Sequence, residues 1–151
     1  VHALAAGGCR DVLVAMGARV VEPPPMARVL QVPHWQRGLA ESVRAALMVT
    51  RERPEVDGVG FHVVDTPDVG PDVVARVLDA VAERPRAALA RAVFAGRPGH
   101  PVYIGAEHVD AVLAMLTGDV GAGPYLAAHP GLVTSVECAD LASGRDHDTA
   151  E

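Results

Sequence analysis

Lysine is absent from the 151-residue sequence, so all 13 basic residues are arginine. Set against 19 Asp and Glu, they leave a formal net charge of −6 and a pI of about 5.6. That balance removes the basic footprint most nucleic-acid binders carry, and no nucleic-acid partner is expected. Aromatic residues are equally scarce at 3%, so a core must be built from Ala, Val and Leu rather than rings. Cys9 and Cys138 are the only cysteines and form no C-x-x-C pair. A disulfide framework and a zinc knuckle are thereby excluded, and a reducing, cytoplasmic setting is expected. No apolar run reaches the roughly 18 residues of a membrane span, so no membrane partner is expected either. The seven histidines include no H-x-x-x-H or H-E-x-x-H pair, and no G-x-S-x-G elbow occurs. Zinc-hydrolase and serine-nucleophile chemistry lose their usual signatures.

What remains is a chain that is half apolar and of a length suited to one domain with one core. The opening His2 to Gly8 reads as the last turns of a helix with a glycine stop, as if the chain begins mid-domain. Asp11 to Met16 is a short apolar run closed by Gly17, the pattern of a buried parallel strand. Pro23-Pro24-Pro25 marks a stiff loop, Arg28 to Val32 a shorter strand, and Leu39, Val43, Ala46 and Leu47 a helix to about Thr50. Gly58 to Val64 is the clearest strand, expected to sit centrally in its sheet. Pro71 opens a helix whose buried stripe is Val73, Val74, Val77, Leu78 and Val81. Ala88 to Ala95 and Val102 to Ile104 are strands that pair like a hairpin across the turn-rich Gly96 to Pro101. Glu107 to Leu116 and Pro124 to Ala128 follow as helices, and Leu132 to Val136 as a last strand. Alternating helices and apolar strands predict an α/β fold, a mostly parallel sheet covered on both faces.

In such sheets ligands lie beyond the carboxyl ends of the strands. Asp65, in Val63-Val64-Asp65-Thr66-Pro67, stands there. A carboxylate in that place suits Mg²⁺, which takes one or two protein carboxylates and completes its shell with water and phosphate oxygens. An Asx residue before proline also caps turns through its own backbone, and spacing alone leaves both readings open. Asp146-His147-Asp148 offers a second metal ligand or a solvated tail. The glycine-rich segments Gly96 to Pro101 and Gly118 to Gly123 can bring backbone amides near a phosphate, or simply turn the chain. Ser42, one turn into a helix beginning near Gly38, faces a ligand or the helix surface. Trp35 reads as a packing residue.

Five segments in order are Trp35-x-x-Gly38-x-x-x-Ser42, Val63-Val64-Asp65-Thr66-Pro67, Gly99-His100-Pro101-Val102, Gly118-Asp119-x-Gly121 and Asp146-x-Asp148-Thr149. Together they run from Trp35 to Thr149. The sequence resembles the MobA-like NTP transferase family, most closely its molybdenum cofactor cytidylyltransferase, or MocA-like, branch.

The resemblance implies a Rossmann-like, three-layer nucleotidyltransferase fold. It also implies Mg²⁺-dependent transfer of CMP or GMP from CTP or GTP to a molybdopterin-type phosphate, with release of pyrophosphate. Asp65 would be the catalytic and metal-binding carboxylate and Asp148 the second metal ligand. Gly38, Ser42 and Asp65 would meet the nucleotide, and Gly99, His100, Pro101, Gly118 and Asp119 the pterin side. A molybdoenzyme or maturation factor is the implied protein partner. The family opens with a strand and a loop of the type L-A-A-G-x-S-x-R-M-G-x-x-K, which has no counterpart here. An N-terminally truncated domain, short of about one βα unit, is therefore expected. Two other readings stay open: a non-catalytic relic or binding module, and a sugar-phosphate nucleotidyltransferase.

Overall fold

A computed structural model of the chain describes residues 1–145. The fold is α/β, as expected, but its strands form two separate sheets. β1 (Leu13–Met16) and β2 (Arg28–Gln31) pair in parallel, Leu13 opposite Arg28. The second sheet has the order β3-β5-β4-β6, from β3 (Gly58–Phe61), β4 (Leu89–Phe94), β5 (Arg97–Gly105) and β6 (Val133–Glu137). β6 runs parallel to β4, while β5 is antiparallel to both neighbours. The sheet is thus mixed rather than mostly parallel, because a tight hairpin joins β4 to β5 and only antiparallel strands can be joined that way.

That hairpin corrects the reading of Gly96 to Pro101 as one long turn. Ala95 (φ 54°) and Gly96 (φ 80°) alone reverse the chain, both with the positive φ a two-residue hairpin loop requires. The Glu137 carboxylate accepts bonds from the Ala95 and Gly96 N–H groups at 2.9 and 3.1 Å and fixes the turn. Gly99, His100 and Pro101 are consequently strand residues, with a cis peptide between the last two. β3 lies at the edge of its sheet, hydrogen-bonded to β5 alone among the described residues, rather than centrally.

Helices cover both faces of the larger sheet. Alternate residues along β4 and β5 point to opposite sides, as the two-residue period of a strand dictates. Leu89 and Ile104 pack with Val43 and Leu47 of α2 (Leu39–Arg51), Val112 of α4 (Val109–Met115) and Leu126 of α5 (Gly123–Ala128). Ala90, Ala92, Phe94 and Tyr103 face the other way, against Val73 and Val77 of α3 (Pro71–Ala80). Each fully buried valine or leucine contributes about 1.5–3 kcal/mol. The helical stripes read from the sequence are the faces buried here, except that Leu39 is 54% exposed. The short α1 (His2–Ala6) is followed by Gly7, which sits so close to Val74 of α3 that a side chain would overlap it. No helix among the described residues is long and apolar enough to cross a membrane.

A cleft of about 790 Å³ separates the two sheets. Leu13, Ala15 and Leu30 line it from the β1–β2 side, Val59 and Phe61 from β3, and Val43 and Ala46 from α2.

Candidate functional site

The chain leaves β3 at Phe61 and passes over the rim of the larger sheet through residues 62–66. Val64 is fully exposed and Asp65 exposed beside it, whereas Thr66 turns inward and is only 5% exposed. A bond from the Val69 N–H to the Thr66 carbonyl, 3.1 Å, closes the turn at Pro67. Asp65 is thereby held at the surface beyond the end of the strand, its carboxylate accessible. Next to it in the chain, His62 is half-buried. Burial pushes its imidazole pKa down, nearby His100 adds to the effect, and Asp65 partly opposes it. The Nδ1 atom of His62 is buried without a hydrogen-bond partner among the described residues.

The described residues contain no cluster of three His, Cys, Asp or Glu side chains able to hold a metal. Zinc-like cages are not needed for Mg²⁺, which accepts a single exposed carboxylate and keeps its remaining positions for water and phosphate. Asp65 fits that role by its hard oxygen donors and its accessibility. Asp146 and Asp148 lie outside the described residues.

Gly38 and the Gly118–Asp119 segment come together although 80 residues separate them in sequence. Gly38, at φ 112° and ψ −175°, precedes α2, and a β-carbon there would overlap the Gly118 carbonyl and the Asp119 carboxylate. The Ala40 N–H donates to that same carbonyl at 3.0 Å. Ser42, one turn further along α2, is half-buried and lines the cleft between the sheets. Trp35 lies against Gly17 just past β1 yet stays 43% exposed, so it packs less fully than the sequence suggests.

Gly99, His100 and Pro101 sit elsewhere, on β5. Arg91 of β4 donates from Nε and Nη2 to the Gly99 carbonyl at 3.3 and 3.1 Å. Gly99 and Gly144 both lie against the Phe94 ring, so a side chain at either would overlap it. This draws residues 143–145 across the hairpin. Ser143 donates from N and Oγ to Asp68 at 2.7 and 2.6 Å, and Arg97 Nη2 donates to the Ser143 carbonyl at 3.0 Å. A cavity of about 610 Å³ is left, lined by Thr66, Arg91, Arg97, His100 and Arg145 together with Pro98 and two glycines. Pro101 is buried and does not reach it.

Of the residues expected from sequence, Gly99 and His100 line this cavity, while Asp65 does not line it and only precedes a wall residue, Thr66, in the chain. Gly38, Gly118 and Asp119 form a second cluster at the start of α2. Thr66, Arg91, Arg97 and Arg145 were not singled out; the one available signal was an arginine on each arm of the hairpin.

The model of the MobA-like NTP transferase domain matches residues 1–133. Nicotine blue oxidoreductase of Paenarthrobacter nicotinovorans is 29% identical over 157 residues, spanning 96% of this chain and 74% of that protein. Among solved structures, Rv0371c from Mycobacterium tuberculosis H37Rv in complex with manganese aligns with a TM-score of 0.66 at 23% identity, covering 90% of this chain and 71% of its own. The Rv0371c homologue of Mycobacterium sp. strain JC1 aligns with a TM-score of 0.68 at 21% identity, over 99% and 76% of the two chains. These likenesses show a shared α/β fold. From the motifs, the family match and the fold together, the chain belongs to the MobA-like NTP transferase family.

Proposed function

We propose that this domain transfers CMP or GMP from CTP or GTP to the phosphate of a molybdopterin-type acceptor, with Mg²⁺ held by Asp65. An acceptor phosphate oxygen attacks the α-phosphorus, the α–β bridging P–O bond breaks, and pyrophosphate leaves with the electron pair. Such a displacement needs charge neutralisation and in-line positioning more than a protein nucleophile. The observation that carries the reading is the exposed Asp65 carboxylate standing next in sequence to the wall of an arginine-lined cavity. The bound metal would neutralise phosphate charge, and Asp148 would be its second ligand. Gly38 and Ser42 would meet the base and ribose. Gly99 and His100 would meet the acceptor, Gly118 and Asp119, packed against Gly38, would approach it from the nucleotide side, and buried Pro101 would act only by shaping β5.

The test is calorimetric titration of CTP and of GTP with and without Mg²⁺, on the chain and on Asp65→Ala. Magnesium-dependent binding that disappears in the variant is the expected result. Binding indifferent to both the metal and the substitution would overturn the assignment of Asp65.

A second reading, redox chemistry, is favoured by one observation, the 29% identity with a protein named nicotine blue oxidoreductase along 96% of this chain. Loss of the colour of nicotine blue on incubation with the chain and a two-electron reductant would support it, and no change over the reductant alone would count against it.

A further inference from the structure

Most of this acidic chain's cations are neutralised in place. Among the described residues seven arginines, Arg28, Arg53, Arg76 and Arg86 among them, lie within 4.0 Å of a carboxylate. The three arginines of the 610 Å³ cavity are of the other kind. Arg91 and Arg97 spend part of their donors on neutral carbonyls of Gly99 and Ser143, and no carboxylate lines the cavity among the described residues. Among the described residues, positive charge is concentrated there while the chain as a whole carries a net charge of −6.

Thr66 supplies an independent observation that points to a polar ligand. It lines the same cavity, is only 5% exposed, and its hydroxyl has no hydrogen-bond partner among the described residues. Buried hydroxyls are ordinarily satisfied, and one left open on a cavity wall marks a place where something polar binds.

We propose that this cavity is an anion site that takes a phosphate monoester, held by Arg91, Arg97 and Arg145 with Thr66 donating from Oγ1. Guanidinium forks match the paired oxygens of a phosphate, and three of them outweigh its double charge. The volume exceeds that of a lone phosphate, so the group arrives on a larger molecule. Arg91 is positioned before the ligand comes, because its bonds to Gly99 lock the side chain along β5. If the domain is a nucleotidyltransferase, this is the phosphate of the acceptor, brought beside Asp65 by the Asp65–Thr66 linkage; the inference deepens that reading and rests on it for the acceptor's identity.

The test omits nucleotide and divalent metal, so that it reads the cavity alone. The whole chain is titrated at low salt with inorganic phosphate, glycerol phosphate and acetate, alongside Arg97→Gln and Thr66→Val. Glycerol phosphate should bind at least as tightly as inorganic phosphate, acetate more weakly, and each variant should weaken binding about fivefold or more, the scale of one charge-assisted hydrogen bond. Arg97 is exposed, so its variant carries the test if Thr66→Val does not fold. Phosphate binding that survives in Asp65→Ala supports the site even if nucleotide binding fails. Absence of binding by the parent, parental affinity in both variants, or acetate binding as tightly as phosphate would overturn the proposal.

Discussion

Replacing Gly38 by alanine isolates one close approach on which the second cluster depends. Its backbone, φ 112° and ψ −175°, lies in a region populated essentially by glycine, and forcing another residue there costs about 1–3 kcal/mol. The new β-carbon would also meet the Gly118 carbonyl, a backbone atom that cannot rotate away. Relief requires the loop to withdraw from the start of α2, breaking the 3.0 Å bond from the Ala40 N–H. For a chain of this size each kcal/mol moves the melting temperature by about 2–4 °C, so Gly38→Ala should lower it by roughly 3–10 °C. Gly60→Ala is the control, since a β-carbon there would meet no atom within 4 Å and its φ is not positive. It should stay within about 2 °C of the parent. Thermal unfolding followed by circular dichroism measures both. A Gly38→Ala protein melting within about 1 °C of the parent would refute the reasoning, because neither the strain nor the overlap could then exist as described.

Three further outcomes follow from other parts of the structure. Asp11 accepts bonds from Arg28 and Arg53, which hold its carboxyl below the ordinary value of 3.8. The unfolded chain therefore takes up this proton at higher pH than the folded one; the pair's stabilisation is complete above the ordinary value and lost as pH falls through the depressed one. The melting-temperature difference between parent and Asp11→Asn should shrink with acidification across that window, and a constant difference would count against it. Phe94→Ala should cost about 3–5 kcal/mol in urea unfolding, since it empties the space between β4 and the two glycines that clasp the ring; a loss under about 1 kcal/mol would contradict that packing. Cys138 is fully buried and Cys9 half-buried, so a disulfide reagent should titrate one thiol of the native protein and the second only after denaturation. Rapid modification of both would show that the β6 end is open.

How far the sequence foretold this structure depended on how local each feature is. The stripes of α2 and α3 were legible because helix period and burial coincide within a few residues, as Val73, Val74 and Val77 show. Pro98, Gly99 and Pro101 look like turn chemistry, so only the later part of β5 is legible as a strand in the sequence. The strand accommodates them where its pairing with β4 shifts register between Arg91 and Val93. An apolar run such as Gly58 to Phe61 reports burial of its faces but not the number of its lateral neighbours, so the edge position of β3 could not be read. Asp65 was found by its place after a strand. Thr66, Arg91, Arg97 and Arg145 were not, because only the hairpin and the clasp on Phe94 bring them to one cavity.

The separation of the sheets bears on how the molecule opens. Among the described residues no strand of the β1–β2 pair is hydrogen-bonded to the larger sheet, and the pair is tied across by contacts such as the Asp11–Arg53 ion pair and the packing of α2. Such a unit can unfold while the rest stays intact. Amide exchange should then sort into two populations, with β1 and β2 exchanging through a subglobal opening and β4, held between β5 and β6, only through global unfolding. Ligand held in the cleft between the sheets would make the two populations converge.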